Sequence, residues 1–146
     1  MRVLADDLQK LIPHSGAMCL LDTVESWGPV AIVCTTMQHR SPTNPLRHER
    51  RLSSVHAIEF AAQATAVHGA LLMPHGSDPS FGLLASVRNC RFHCATLDDV
   101  EGALLVEVQR LAASAALVMV EFAVSGDGRR LVEGRVSIFM EHRKGQ

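Results

Sequence analysis

The period of apolar and polar positions changes several times along the chain, and each change marks an element. Residues 6–12, DDLQKLI, space their apolar residues for a short helix with acids in its first turn, and Pro13 ends it. Two β-rich runs follow at 18–24 and 29–37, divided by the turn signal Trp27-Gly28-Pro29. Periodicity is then lost over 38–52, QHRSPTNPLRHERRL, a polar stretch with two prolines. It reads as a long loop, and long loops in compact domains are often functional. The longest helical pattern runs from Ser53 to Met73, with Ser available as N-cap and apolar residues on all sides rather than in one stripe. Such a helix is buried on most sides. A loop over 74–80 leads into strand-like segments at 81–93, 103–112, 117–124 and 130–140, the middle two of them alternating, with Ser125-Gly126-Asp127-Gly128 as a turn between the last two. Helix and strands are segregated, which predicts an α+β fold: one long helix wrapped by an antiparallel sheet.

The 146 residues predict one domain spanning 1–146, long enough to bury a core without staples. A formal net charge of −1, one Trp and no Tyr exclude the basic, aromatic footprint of a nucleic-acid binder. No apolar run reaches membrane-spanning length, so no membrane association is expected. The opening MRVLADDLQKLIPH carries acids and a Lys within its apolar pattern, unlike a signal peptide. Cys19, Cys34, Cys90 and Cys94 have no framework spacing and read as reduced thiols of a cytoplasmic protein.

Glu59 is the sharpest anomaly: a carboxylate between Ile58 and Phe60, inside a helix that should be buried. Gln63 lies four residues on and His56 three residues before it, so one face carries an imidazole, a carboxylate and an amide. Burial favours the proton-bearing form of a carboxyl group, as a general acid requires. The competing reading makes Glu59 a hydrogen-bonded residue of a dimer interface. Of the eight histidines, His14, His68 and His75 read as ordinary residues, while His39 and His48 lie in the long loop. Cys90, His93 and Cys94 fall on both faces of a predicted strand without an evident fourth ligand, so no metal is expected. Arg40, Arg47, His48, Arg50 and Arg51 form a basic cluster that runs into the start of the long helix. A basic rim beside a carboxylate suits an acidic, phosphate-bearing carrier.

Two segments, 11-LIPHSGAMCLLDTV-24 and 58-IEFAAQATAVHGALL-72, resemble the hot-dog 3-hydroxyacyl-acyl-carrier-protein dehydratases, in particular a shorter branch associated with aryl-polyene synthesis. The resemblance implies a hot-dog fold, a homodimer with edge-to-edge sheets, and sites between subunits where a loop His of one chain meets the helix Glu of the other. It carries over onto Glu59 and Gln63. The family's Gly-His-Phe-Pro and Met-Pro-Gly segments are absent, which leaves His48, then His39, then His56 as the base. The expected reaction is loss of water from a 3-hydroxyacyl thioester carried on the phosphopantetheine of acyl carrier protein, with no further cofactor. Glu59 would protonate the leaving hydroxyl, the N–H groups of Ser54 and Val55 would polarise the carbonyl, and Arg47, Arg50 and Arg51 would steer the carrier. The alternatives are a hot-dog thioesterase, and a non-catalytic acyl-carrier-binding subunit that pairs with an active homologue.

Overall fold

The computed structural model describes residues 3–4, 7–8, 19–73 and 80–142. Strands β1 (Val3–Leu4), β2 (Thr23–Trp27) and β3 (Ala31–Thr36) precede helix α1 (Ala57–Leu72), and β4 (Ser80–Phe92), β5 (Leu104–Ala113), β6 (Leu117–Gly126) and β7 (Arg129–His142) follow it. They form a seven-stranded sheet in the order β1-β2-β3-β5-β6-β7-β4. Every neighbouring pair is antiparallel. The expected arrangement of one helix against an antiparallel sheet is therefore the one found.

Alternation sets which face meets the helix. Ile32 pairs with Val108, Val108 with Phe122, and Val120 with Val136. All five are buried, while Glu107 and Glu121 on the same strands face outward and are exposed. Against this face α1 sets Ala57, Ala61 and Ala64, whose small side chains let the sheet approach, and Phe60, which fills the core; all four are fully buried. The helix starts where its cap residue predicts. Ser53 Oγ accepts a bond from Val55 N–H at 3.3 Å, and a single 3-10 turn, Ser54–His56, leads into α1.

One expected strand moves. The run at 18–24 pairs only from Thr23 onward. Cys19, Leu20 and Leu21 are buried in succession, without alternation, and Leu20 N–H donates to Gln63 Oε1 at 2.8 Å instead of to a strand. Of the predicted first helix, residues 7 and 8 are helical and the remainder lies outside the described residues.

A bulge interrupts the pairing of β4 with β7. Asn89 and Cys90 oppose the single residue Gly134, with Asn89 in the left-handed region at φ 53°. A Cβ on Gly134 would lie 2.3 Å from Cys90 Sγ and 3.0 Å from its Cα. Gly134→Ala is therefore expected to destabilise the fold by about 1–3 kcal/mol, the usual cost of overpacking. Urea denaturation reads this directly, and an unchanged midpoint would mean that the bulge opens freely.

Candidate active site

The start of α1 is fastened to the segment after β4. Ser54 N–H donates to Ala95 O at 2.9 Å, Leu97 N–H donates to Leu52 O at 2.9 Å, and Ser53 bridges to Thr96. Within this frame His56 and Glu59 come together, Nδ1 to Oε1 at 3.4 Å, at the long end of hydrogen bonding. Their side chains are 24% and 49% exposed. The expectation that this chain buries Glu59 is thus corrected. Val55, Ile58, Glu59 and Ala62 form the stripe of the helix that the sheet does not cover, each of them exposed or half-buried. Gln63 leaves Glu59's side of the helix for the interior and is spent on Leu20. The two N–H groups expected to polarise a carbonyl are both engaged: Ser54 on a backbone carbonyl, Val55 on the cap hydroxyl.

The loop between β3 and α1 is closely tied. Asp22 accepts Met37 N–H at 2.7 Å and Gln38 Nε2 at 2.8 Å, which seats the short 3-10 turn Gln38–Arg40. His39 is fully buried on that turn, and its Nε2–H donates to Val100 O at 2.8 Å. Burial holds its pKa below the ordinary value, with the Val100 carbonyl opposing and Arg40 and Arg47 adding to the shift. Buried in this way, His39 is a structural residue of this chain rather than an accessible base. His48 stands outside, 89% exposed, with Nε2 3.9 Å from Glu49 Oε1. Arg47 also departs from its expected role. Its side chain is 16% exposed and ion-paired to Asp98, with Nε donating to Ser41 O at 2.7 Å and Nη2 to His39 O at 2.6 Å. It is an internal clamp, and Arg50 and Arg51 are left as the exposed cations of the rim. A hollow of about 510 Å³ opens between loop and helix, lined by His48, Arg51, Ser53, His56 and Thr96 among others. The structure thus gathers His48, Arg51, His56 and, through His56, Glu59 in one place.

The whole of this arrangement lies within residues 6–146, which match the family described as ApeP-like, ApeP dehydratase. The chain belongs to that family. Among solved structures, the dehydratase heterocomplex ApeI:P from Xenorhabdus doucetiae is similar at TM-score 0.81 and 22% identity, over 93% of this chain and 91% of that one. Thioesterase HI1161 from Haemophilus influenzae follows at TM-score 0.62 and 11% identity, over 96% and 92%. A variant of thioesterase PA1618 from Pseudomonas aeruginosa matches at TM-score 0.56 and 11% identity, over 82% and 81%. These likenesses are of fold: the hot-dog fold expected from the sequence is the fold of this ApeP-like dehydratase. No curated protein matches the sequence.

Elsewhere the ApeP-like chain offers less chemistry. A hollow of about 650 Å³ on the outer face of the sheet is lined by Arg91, Glu107, Glu121, Arg130, Glu133 and Arg135 among others, with no residue from the helix or the loop. Four of its charges are paired, Arg135 with Glu121 at 3.4 Å and Arg130 with Glu133 at 3.9 Å. The four cysteines are free, and burial raises each thiol pKa, Cys34 to about 12. They are poor nucleophiles. His93 is taken up by Glu133 at 3.0 Å. Among the described residues no group of three potential ligands could hold a metal ion, and no helix is long and apolar enough to cross a membrane. His14 and His75 lie outside the described residues.

Proposed function

We propose that this dehydratase removes water from a 3-hydroxyacyl thioester delivered on an acyl carrier protein, and that His56 and Glu59 are its acid/base pair. The observation that carries this reading is their 3.4 Å contact at an accessible helix end beside a hollow. Elimination needs one group that takes a proton and one that gives a proton, placed on the same side of the substrate. His56 takes the proton alpha to the carbonyl, and Glu59 gives one to the 3-hydroxyl, which leaves as water. After each turnover the proton stands on the imidazole and is missing from the carboxyl. The direct contact between them is the path by which it returns. Val55 N–H polarises the thioester carbonyl by exchanging its long bond to Ser53 Oγ. His48 and Arg51 line the hollow, and Arg50 and Arg51 receive the acidic carrier.

The uncovered stripe Val55, Ile58, Glu59 and Ala62 supports the action of this chain in a two-subunit assembly, whose second subunit would exclude water from the pair. The relative named as the ApeI:P heterocomplex makes a non-identical partner a reading beside the homodimer. The test incubates purified protein with 3-hydroxyacyl-carrier protein and follows loss of water by mass, with free thiol followed in parallel. Enoyl product without thiol supports the proposal. Thiol release identifies a thioesterase instead, and carrier binding without either product moves the chain to the role of a non-catalytic subunit.

A further inference from the structure

The tip of the long loop is a two-residue hairpin: His48 N–H donates to Arg51 O at 2.8 Å and Arg51 N–H to His48 O at 2.9 Å. Its central residues are Glu49 at φ 50° and Arg50 at φ 66°. Turns with two positive φ values are ordinarily made from Asn and Gly, because other side chains are strained in the left-handed region. Here neither residue is of that kind. Strain of this sort persists only where the surroundings impose it. The group that imposes it is Arg47. Its Nη1 donates to Arg50 O at 3.2 Å, inside the strained pair, while the same guanidinium is held by Asp98, Ser41 O and His39 O. Asp98 also accepts Leu52 N–H at 2.7 Å, so one carboxylate fixes both ends of the hairpin. Three residues of this hairpin, His48, Glu49 and Arg51, line the hollow together with His56.

We infer that Arg47 is a positioning residue, which holds the Glu49–Arg50 turn in a strained conformation and so sets the His48 and Arg51 wall of the hollow against His56. The inference rests on the acid/base reading of that hollow proposed above. Arg47 touches no substrate in this role. It acts through the turn, so a turn that adopts positive φ unaided should need it less. Glycine at position 49 does so without removing a basic side chain.

The test compares wild type, Arg47→Lys, Glu49→Gly and the double variant in two measurements. One is turnover of 3-hydroxyacyl-carrier protein; the other is amide hydrogen exchange at His48 and Arg51, which does not depend on activity. Lysine keeps the charge but not the planar fork that reaches several acceptors. Arg47→Lys is expected to lower kcat by up to about 10²-fold, as small misplacements do, with a smaller change in KM and with faster exchange at both amides. Glu49→Gly alone is expected to raise amide protection by relieving strain; because it also removes a carboxylate that lines the hollow beside His48, the turnover of the double variant is read against this single variant. The double variant is expected to recover most of both losses. Full activity and protection in Arg47→Lys would overturn the inference. So would a double variant no better than Arg47→Lys, or a loss of protection in Glu49→Gly. If wild type produces no enoyl product, the acid/base reading fails on its own, and the exchange pattern alone decides whether Arg47 sets the turn.

Discussion

Glu59→Gln is expected to reduce enoyl formation by about 10²–10⁴-fold, the range contributed by a positioned general acid or base. The substitution keeps the size and shape of the side chain and removes only its ability to carry and release a proton. It is a clean probe because of where Glu59 lies. The side chain is 49% exposed on the uncovered stripe of α1, and its resolved contact is with His56. Surface substitutions of this kind usually change stability by less than about 0.5 kcal/mol. The melting temperature should therefore hold while turnover collapses, and carrier binding should persist, since the charges of the rim are untouched. His56→Gln should match it, and the double variant should be no worse than either, as for residues that act as one unit. Mass detection of the dehydrated acyl chain on the carrier reads the result. A Glu59→Gln protein that still turns over at the wild-type rate would remove Glu59 from the mechanism.

How far the sequence reaches can be judged from particular residues. Alternation in β5 and β6 foretells their faces, because a period of two has only one way to meet a core. Ser53 foretells the helix start, because capping is decided by the residue itself and its next two amides. His56 and Glu59 meet because three residues of helix put them there. Where the reading went astray, the deciding partner lies far along the chain. Arg47 looks like one cation of a basic surface cluster until Asp98, 51 residues later, folds onto it. His39 looks like an available base until Val100, 61 residues later, takes its Nε2–H. Apolar neighbours in sequence place Glu59 in the interior, yet the sheet covers only part of the helix. Its stripe is left open by the shape of the fold, which no local pattern records.

Acid should destabilise this protein through two buried histidines. His39 and His68 are both fully buried. Each spends Nε2–H on a carbonyl, Val100 O at 2.8 Å and Gly28 O at 2.6 Å, and leaves Nδ1 buried without a partner. A proton added at Nδ1 would place a buried charge with nothing to receive it, beside Arg40 and Arg47 in one case and Arg110 in the other. Burial is accordingly the leading cause that lowers both pKa values. The sign follows from linkage. Below the ordinary histidine pKa of about 6.5 the unfolded chain binds protons that the folded chain refuses, so stability falls as pH falls. Each histidine contributes a slope of up to about 1.4 kcal/mol per pH unit, beginning near pH 6.5 and ending where the folded-state group finally titrates. Above about pH 6.5 the contribution is complete and constant. Urea unfolding should show lower stability at pH 5.5 than at pH 7.5, and His68→Gln should flatten part of the slope even if it costs stability at both. The consequence for function is local. His68 ties α1 to Gly28 in the turn between β2 and β3, and His39 ties the loop before α1 to Val100, so that loop is among the first parts that acid would loosen. Equal stability at the two pH values would mean that both imidazoles accept protons in the folded state as readily as in water, and would overturn this account.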